Sequence, residues 1–444
     1  MIHRSSAWKA LAVLGDGALT VGVFLCAYLV RFLANPPLPN SVDFWRIAPW
    51  IALTTIIVFS AYGLYDDSVY SLSEYRWSII SAAIVIHFAG AAISFMVRSF
   101  AVPRTVFVIA FILFIPVALA WRRFCRWAED RNRPVGKLIM VGTADGFAHL
   151  VPVLRPTFPV VFEVLWPHES GQREEALLEL TTLLQSPGLQ AVLIEAGIPH
   201  EDKRRIISLA VSCDTPVLVG PDFFDLTMLN ASPFKIREVP FLGVRPIRLD
   251  PVRALSKRTL DLSIAVPALL FSLPVMALIA LAIKLDSSGP VLYRQERVGQ
   301  NHRRFHVLKF RTMVVNAEMV TGPVLSSGKC DLRVTRVGRI MRQIRMDELP
   351  QLFNIVKGEM SLVGPRPERP FFVEQFERQI PEYCYRHKVP VGLTGLAQVL
   401  GRYSSSPKEK LQYDLLYARN TSMWVDIRIL FLTVRALLMK ESSM

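Results

Sequence analysis

The sequence contains few of the residues and motifs on which several common classes of enzyme depend. Its five cysteines are scattered and form no CxxC pair, which speaks against a thiolate metal cluster or a disulfide framework and fits a reducing compartment. The GxxxxGK[ST] loop of kinase-like and helicase-like phosphate enzymes is absent, as is the GxGxxG spacing of dinucleotide-binding folds. No helix-turn-helix, zinc-finger or RNA-binding signature occurs, so no nucleic-acid partner is expected.

Long apolar stretches, in contrast, are abundant. The mean hydropathy is +0.34, and 52% of the 444 residues are hydrophobic, more than a soluble protein of this size needs. Each of four early stretches approaches the ~20 residues that a helix needs to cross a bilayer. These stretches are 9–31, 46–65, 78–98 and 104–121. The pattern predicts a four-helix transmembrane domain over residues 1–125.

The basic residues that flank this domain predict its orientation. His3, Arg4 and Lys9 precede or open the first stretch. A denser cluster follows the fourth stretch and consists of Arg122, Arg123, Arg126, Arg131, Arg133 and Lys137. Because four spans return the chain to its starting side, both basic flanks can lie in the cytoplasm, as the positive-inside rule favours.

Residues 136–250 have a different character, in which short apolar runs alternate with helical patterns. The strand-like runs are GKLIMVG at 136–142, Val160–Leu165, Ala191–Glu195 and Pro216–Gly220, and the helical patterns are Glu174–Gln185 and Glu201–Cys213. This alternation predicts a parallel, Rossmann-like α/β module. Gly142 and Gly146 follow the first strand without the dinucleotide spacing, so a structural or regulatory role is favoured over nucleotide binding.

A membrane segment of another kind lies at residues 262–283. It is long enough to span a bilayer, but Pro267 and Pro274 interrupt it, and proline in a helix interior removes a hydrogen bond and bends the helix. Because the chain is basic on both sides of the run, a straight fifth span would place a basic domain outside the cell. We therefore expect a re-entrant helix over residues 259–285 that bends near Ser272 and Pro274, with Ser272 helping to satisfy the freed backbone groups.

The charge of the protein is concentrated beyond this segment. The net charge is +14, and residues 251–444 contain 29 Lys and Arg against 16 Asp and Glu, so +13 of it lies there. Residues 294–313 hold six basic residues, including Lys309 and Arg311, against a single acid, and five arginines recur at every third position further on. Guanidinium groups bind phosphate oxygens in bidentate fashion, so this concentration favours a diphosphate substrate and a phospholipid surface.

Two adjacent acids, Asp347 and Glu348, stand directly after the arginine-rich segment. We expect the nearby arginines to lower the pKa of Asp347 and keep it ionised. An ionised carboxylate can attack phosphorus or bind Mg²⁺. Further on, Pro365 and Pro367 fix the backbone on both sides of Arg366, which would aim its guanidinium at a fixed phosphate.

With these residues the sequence resembles the bacterial sugar transferases, which are monotopic polyprenyl-phosphate sugar-1-phosphate transferases. The resemblance covers residues 253 to about 440 in the order KRTLDL, RVG…FHVLKFRTM, RVGRIMRQIRMDELPQLFNIVKGEMSLVGPRPERP, RHKVPVGLTGLAQVLGR, YDLLYARN and DIRIL. The four spans and the α/β module resemble the long form of that family. This form commonly starts exopolysaccharide, capsule or O-antigen repeat units on undecaprenyl phosphate.

The resemblance implies a reaction and a set of functional residues. Asp347 would attack the β-phosphorus of a UDP-hexose and release UMP, and undecaprenyl phosphate would then take the hexose-1-phosphate from the carboxylate. Asp347 and Glu348 would hold Mg²⁺. The phosphate-binding residues that the resemblance and the charge pattern together predict are Arg342, Arg366, Lys309 and Arg311, and the helix break falls on Ser272 and Pro274.

Together these features predict an α/β membrane protein of the bacterial inner membrane, multi-pass, with its catalytic domain on the cytoplasmic face. The domains would be four transmembrane helices (1–125), the Rossmann-like module (136–250) and a mixed, mainly helical catalytic domain (253–444) with the re-entrant helix. A homodimer is expected. The alternative is a membrane-anchored, nucleotide-sensing regulator without catalysis. His302, His306 and His387 are interpreted as polar or structural residues, with His387 the best candidate for an exception.

Overall fold

The computed structural model of the protein divides into two compact units, Met1–Asp222 and Phe223–Met444. The described residues are 6–32, 38–66, 72–96, 103–131, 136–155, 158–167, 170–229, 231–236, 239–244, 246–314, 333–401 and 406–439.

The first unit begins with four long helices, each apolar enough to cross a bilayer. They are α1 (Ser6–Arg31), α2 (Leu38–Ala61), α3 (Leu72–Met96) and α4 (Arg104–Arg131). Large apolar side chains such as Phe88 and Ile112 stay exposed on their outer faces, as expected of helices that contact lipid. The helices identify a membrane-associated protein, while the number of crossings stays a prediction.

A buried ion pair joins the first and last of these helices. The guanidinium of Arg122 on α4 donates to the carboxylate of Asp16 on α1. Arg122 also donates to the carbonyl oxygen of Leu64 at 3.2 Å, and its guanidinium lies 5.1 Å from the ring centroid of Phe59. Because a charge among apolar helices must be paired, these contacts assign Asp16 to helix packing.

The predicted α/β module is present in the same unit, and its parallel sheet is confirmed. Its strands and helices alternate as β1 (Lys137–Gly142), α5 (Ala144–Leu154), β2 (Val160–Leu165), α6 (Arg173–Leu184), β3 (Leu189–Ile194), α7 (His200–Ser212) and β4 (Val217–Val219). The strand order is β2-β1-β3-β4, and every neighbouring pair is parallel. Buried apolar residues of the strands, such as Val141, Val192 and Ile194, form its core with α6 and α7.

An internal carboxylate occupies the position at which dinucleotide-binding folds hold a phosphate. Glu195, at the end of β3, accepts hydrogen bonds from the backbone N–H of Thr143 at 2.7 Å and from its hydroxyl at 3.0 Å. Thr143 caps the N-terminus of α5, where the helix dipole and the unpaired N–H groups attract an anion. Glu195 of the same chain supplies that anion, which agrees with a structural or regulatory role of the module in preference to nucleotide binding.

The second unit contains the segment rich in arginine. The helices of this unit are α8 (Phe223–Met228), α9 (Pro251–Asp286), α10 (Arg336–Gln343), α11 (Gln351–Lys357), α12 (Pro370–Gln379), α13 (Leu396–Leu400), α14 (Pro407–Arg419) and α15 (Met423–Leu438). Its strands are β5 (Ser232–Ile236), β6 (Val239–Gly243), β7 (Leu292–Val298), β8 (Arg304–Phe310), β9 (Ser361–Val363) and β10 (Gly392–Thr394). β7 and β8 form an antiparallel hairpin, and β9 and β10 form a parallel pair. Short 3-10 helices lie at Gln300–His302, Met346–Glu348 and Pro381–Lys388.

The 36-residue helix α9 is continuous through Pro267 and Pro274 and has two unlike faces. One face is buried along its length, at Lys257, Leu260, Asp261, Ala265, Met276 and Ile283. The other face exposes large apolar side chains, among them Phe271 at 85% and Leu285 at 80%. The hydroxyl of Ser272 donates to the carbonyl oxygen of Leu269 at 2.9 Å. The predicted bend near Ser272 and Pro274 stays a prediction.

Polar contacts hold both ends of α9 to the remainder of its own unit. Near its start, the ammonium of Lys257 donates to the carbonyl oxygen of Val363 at 2.8 Å, the hydroxyl of Tyr417 at 2.9 Å and the carboxylate of Asp426 at 2.8 Å. At its end, the carboxylate of Asp286 accepts from the backbone N–H of Val337 at 3.2 Å. The helix is therefore part of this unit along its whole length.

The N-terminal part of α9 also fixes the strand β9. The carboxylate of Asp261 accepts from the hydroxyl of Ser361 at 3.0 Å and from the backbone N–H of Leu362 at 2.9 Å. Together with the bond from Lys257 to Val363, this places the chain that leads into Gly364 and the following Pro-Arg-Pro segment.

The buried ammonium of Lys257 provides a test of this arrangement. Replacing it by alanine leaves Asp426 as a buried carboxylate without its cation, and removing one partner of a buried ion pair costs about 3–5 kcal/mol. We expect Lys257→Ala to lower the melting temperature of the detergent-solubilised protein. Lys284→Ala, at an exposed position on the same helix, is the control and should melt as the native protein does. Equal melting temperatures of the two variants would contradict the role of Lys257 in holding the start of α9 to its unit.

Candidate active site

The acidic pair lies on the short 3-10 helix Met346–Glu348, between α10 and α11. Arg345, immediately before it, adopts the left-handed conformation with φ 55°, which few residues other than glycine enter without strain. At this turn the chain leaves α10 and enters the short helix that carries Asp347 and Glu348, which are called the dyad below.

Gly338 on α10 packs against the backbone of Thr312, and a Cβ on residue 338 would collide with the carbonyl oxygen of Thr312. A glycine in the RVGR motif therefore sets the distance between α10 and the segment after β8.

Glu348 is held between two cations. Its Oε1 accepts from the ammonium of Lys309 at 2.9 Å and from the guanidinium of Arg366 at 2.7 Å. Burial alone would raise the pKa of Glu348, but the charges of Arg366 and Lys309 outweigh it and hold that pKa well below its usual range. Glu348 is therefore ionised throughout the physiological range.

Asp347 has a different environment. Among the described residues, no ion pair involves its partly exposed carboxylate. Burial raises the pKa of Asp347, the charge of Lys309 opposes this, and the charge of Glu348 adds to it. The prediction that nearby arginines keep the pKa of Asp347 below its ordinary value is therefore wrong, because burial and the charge of Glu348 outweigh the lowering by Lys309 and Arg342. A carboxylate of raised basicity with no partner is a better nucleophile than one locked in an ion pair.

Arg342 is placed by the last turn of α10. Its Nε donates to the hydroxyl of Thr312 at 2.9 Å, and its charge lowers the pKa of Asp347 without forming an ion pair. No other hydrogen bond of this guanidinium is formed within the described part of the chain, so its remaining N–H groups could meet an anion. Together, Arg342, Lys309 and Arg366 put three of the predicted cations around the dyad.

A second layer of contacts fixes the backbone of Arg366. Its carbonyl oxygen accepts from the guanidinium of Arg386 at 2.9 Å. Arg386 is itself buried and forms an ion pair with Asp414 at 2.8 Å, and it donates to the hydroxyl of Tyr383 at 2.8 Å. Sequence reasoning missed this role of Arg386. The RHK and YDLLY motifs were visible, but nothing in their spacing shows that Arg386 and Asp414 meet.

Arg311 has a structural position. It is 7% exposed, and its guanidinium donates to the carbonyl oxygens of Ser288 at 2.6 Å and Ser287 at 2.8 Å. These bonds satisfy carbonyl groups just beyond the end of α9, where helix carbonyls lack intrahelical partners. The predicted contact of Arg311 with phosphate has no support in this geometry.

The membrane helix and the dyad are close neighbours. Met276 and Ile283 of α9 form an apolar cluster with Phe310 and Met341, and Leu349, which directly follows the dyad, packs against it. The dyad therefore lies beside the C-terminal half of α9. Ser272 and Pro274 precede Met276 on the same helix and share no hydrogen bond with the dyad among the described residues.

The donor set of the dyad suits magnesium. Mg²⁺ is usually bound in proteins by one or two carboxylates together with substrate phosphates and waters. Asp347 and Glu348 supply two adjacent carboxylates, and the bonds to Lys309 and Arg366 involve only Oε1 of Glu348. No third Asp, Glu, His or Cys of the described residues joins them in a metal-sized cluster, so an ion here would depend on the substrate for further ligands.

Comparison with known proteins matches this site to one family. A family model described as "Bacterial sugar transferase" matches residues 252–440. A UDP-glucose:undecaprenyl-phosphate glucose-1-phosphate transferase of Caulobacter vibrioides is 39% identical over 236 residues, which cover 52% of this chain and 82% of that protein. The chain belongs to the bacterial sugar transferase family. The matched residues 252–440 include Asp347, Glu348 and the three basic residues around them.

Two other relatives extend the comparison. A UDP-glucose:undecaprenyl-phosphate glucose-1-phosphate transferase of Xanthomonas campestris pv. campestris is 41% identical over 273 residues, 60% of this chain and 56% of that protein. A UDP-N-acetylgalactosamine-undecaprenyl-phosphate N-acetylgalactosaminephosphotransferase of Aeromonas hydrophila is 46% identical over 192 residues, 43% of this chain and 45% of that protein. The chain thus spans about half the length of these two members of the family.

The unequal environments of the two acids predict unequal effects on stability. Glu348→Gln leaves Lys309 and Arg366 facing each other without an anion, and because Arg366 is 39% exposed and partly screened by solvent, we expect a cost of about 1–3 kcal/mol. Asp347→Asn removes a partly buried charge that has no partner and that repels Glu348. We expect Glu348→Gln to lower the melting temperature clearly and Asp347→Asn to leave it unchanged or raise it. The reverse order would contradict the assignment of the ion pairs.

Proposed function

We propose that the protein transfers a hexose-1-phosphate from a UDP-hexose to undecaprenyl phosphate, with release of UMP and a covalent aspartyl-phosphosugar intermediate. The observation that supports this most is the unpaired carboxylate of Asp347 beside three cations and a membrane helix. The names of the relatives agree in acceptor and differ in sugar. The donor is therefore proposed as a UDP-hexose without a choice among hexoses.

In the first step, a carboxylate oxygen of Asp347 attacks the β-phosphorus of the donor. The new bond joins that oxygen to phosphorus, and the bond from phosphorus to the bridging oxygen breaks, so UMP leaves with that oxygen. No proton has to move when Asp347 attacks in its carboxylate form. Phosphoryl transfer depends chiefly on positioning and on neutralising charge, and Arg342, Arg366 and Lys309 are the groups that would neutralise the diphosphate.

In the second step, a phosphate oxygen of undecaprenyl phosphate attacks the same phosphorus. The bond between Asp347 and phosphorus breaks, the free carboxylate returns and a polyprenyl diphosphate hexose is formed. The packing of Leu349 against the cluster that contains Met276 and Ile283 brings the dyad next to α9. A lipid phosphate could reach it there while its chain stays in the bilayer.

Glu348 has two parts in this proposal. It aligns Lys309 and Arg366 through Oε1, and with Asp347 it would hold Mg²⁺ in the presence of substrate. Magnesium bound there would supply further positive charge to the diphosphate. Arg386 is a positioning residue, since it holds the backbone of Arg366 and lies one layer behind the dyad.

The same proposal includes the membrane topology. We infer that α9 enters and leaves the cytoplasmic leaflet of the inner membrane, so that the whole second unit lies on the cytoplasmic face. Its two ends are bonded to one compact unit through Lys257 and Asp286, and a helix crossing the bilayer would separate those contacts. The exposed apolar face, which includes Phe271, would contact lipid. The expected homodimer stays a prediction.

The alternative of a nucleotide-sensing regulator has less support. Glu195 already supplies the anion at the N-terminus of α5, so the most obvious phosphate position of the module is filled. The arrangement of Asp347 among cations has no purpose in such a regulator.

The reaction can be tested on the purified, membrane-reconstituted protein with undecaprenyl phosphate. Native protein should release UMP from at least one UDP-hexose of a donor panel when Mg²⁺ is present. Asp347→Asn should reduce the rate by at least about a thousandfold, since loss of a catalytic nucleophile commonly costs this much or more. With donor labelled in the sugar and no acceptor, native protein should retain an acyl-phosphate label that the variant lacks.

The control for this experiment is Glu374→Gln, which neutralises an exposed acid on α12 away from the dyad. It should release UMP at the native rate. Turnover by Asp347→Asn at the native rate would refute the covalent mechanism, and a native protein that releases no UMP from any donor would favour the regulator.

The topology can be tested with single cysteines in a cysteine-free variant. Val252, in the first turn of α9, and Glu296, on β7 beyond the end of α9, are both exposed positions for Val252→Cys and Glu296→Cys. The re-entrant proposal requires that a membrane-impermeant maleimide label both in inside-out vesicles and neither in intact spheroplasts. Asn35→Cys, between the first two predicted spans, should show the opposite behaviour. Labelling of Val252→Cys and Glu296→Cys from opposite sides would establish a straight fifth span instead.

A further inference from the structure

A second cluster of metal-ligand side chains lies outside the dyad. His302 belongs to the turn between β7 and β8, Glu377 to α12 and His387 to the 3-10 helix Pro381–Lys388. One ligand atom from each lies within 4.8 Å of the other two. The three residues come from separate elements, so no local sequence periodicity accounts for their meeting.

His387 is buried in an unusual state. Its side chain is 1% exposed, and among the described residues no group lies within good hydrogen-bonding geometry of either ring nitrogen, the backbone of Gly299 offering a weak polar contact that raises the pKa of His387 slightly against its burial. Its ring stacks at a tilt on that of His302, with centroids 4.6 Å apart. A buried polar atom without a partner costs free energy. Even with the contact to Gly299, at least one nitrogen of this imidazole lacks a hydrogen bond within the described part of the chain, which packing alone does not account for.

Glu377 has the same property. Its Oε1 is buried and lacks a hydrogen-bond partner. Nδ1 of His302 lies 3.7 Å from it, which is beyond hydrogen-bond reach and close to the separation of about 3.3 Å between two donors of a tetrahedral zinc ion.

The backbone that presents His302 is strained. Asn301 has φ 52° and His302 has φ 59°, so two consecutive residues with side chains adopt the left-handed conformation, which each rarely enters. Strain of this kind persists where surrounding structure or function requires it. It turns the imidazole of His302 toward Glu377 and His387.

We propose that His302, Glu377 and His387 bind a transition-metal ion, with Zn²⁺ the best match, separate from the magnesium proposed at the dyad. Two imidazole nitrogens and one carboxylate oxygen form a common zinc ligand set, which leaves a fourth position for water. The ion would satisfy Oε1 of Glu377 and one nitrogen of His387 at once. The half-exposed His302 can rotate to complete the site.

The charge state of His387 is compatible with this role. Burial, the charge of Arg386 and the neighbouring His302 lower the pKa of His387 to about 3. The ring is therefore neutral at physiological pH, which is the form that binds a metal.

The position of the cluster suggests what the ion would do. It would fasten the turn of the β7–β8 hairpin to α12 and to the segment that carries Arg386. Arg386 holds the backbone of Arg366, and β8 carries Lys309. A metal ion here would therefore stiffen the support of two cations at the dyad without contacting substrate.

The test uses full-length protein in detergent, purified without a histidine tag and stripped with a chelator. Titration with Co²⁺ should give visible d–d absorption bands that saturate at one equivalent, and Zn²⁺ should abolish them while excess Mg²⁺ does not. His302→Asn, which keeps a residue tolerant of positive φ, and Glu377→Gln should each weaken Co²⁺ binding by at least about tenfold.

Matched controls separate this site from metal binding elsewhere on the protein. His306→Asn, at an exposed position on β8, and Glu374→Gln, one turn from Glu377 on α12, should bind Co²⁺ as the native protein does. Asp347→Asn should also retain full binding, because the dyad is a different site. Circular dichroism and melting before metal addition establish that His302→Asn and Glu377→Gln are folded.

The proposal is overturned if stripped native protein binds neither Co²⁺ nor Zn²⁺. It is equally overturned if folded His302→Asn and Glu377→Gln bind Co²⁺ with native affinity, or if Asp347→Asn abolishes binding. None of these measurements involves turnover, so their outcome is independent of the reaction proposed above.

Discussion

The candidate site depends on one electrostatic asymmetry between two neighbouring carboxylates. Glu348 shares a single oxygen between Lys309 and Arg366, so it is permanently charged and fixes both cations in place. Asp347 forms no ion pair with any residue that the structure describes, and the adjacent negative charge adds to the rise of its pKa that burial causes. One acid thus organises the positive charge, and the other remains available for chemistry in the field that this charge creates.

The remainder of the second unit holds the two acids and their cations in position. Lys257 and Asp261 bind β9 from the side of the membrane helix, and Arg386 binds the carbonyl oxygen of Arg366 from the opposite side of the chain. Arg311 donates to the carbonyl oxygen of Ser288, just beyond the C-terminal end of α9. Many of the basic residues that give this unit its charge are therefore internal supports, and a smaller group is directed at a substrate.

The sequence predicted the elements of the protein better than the roles of single charges. Hydrophobic length located the helices, and strand-helix alternation located the parallel sheet to within about two residues at each end. Charge density, proline placement and the family resemblance singled out the dyad, Arg342 and Arg366, and the structure brings them together with Lys309, while their catalytic roles stay predictions. Arg311 was predicted to bind phosphate from the density of charge around it. Charge density does not show whether a guanidinium faces solvent or, as Arg311 does, the carbonyl groups at a helix end. The raised pKa of Asp347 and the support from Arg386 depend on contacts between distant segments, which one sequence does not contain.

The two-faced character of α9 has a consequence for reaction kinetics. Its buried face belongs to the unit that carries the dyad, and its outer face offers apolar side chains such as Phe271 and Leu285 to its surroundings. With that face in lipid, the height of the dyad above the acyl chains is fixed by the helix itself. For the lipid acceptor proposed above, encounter with the dyad would then be a search by lateral diffusion in two dimensions. Its frequency is set by how many acceptor molecules occupy each unit area of bilayer, and diluting the aqueous phase leaves it unchanged.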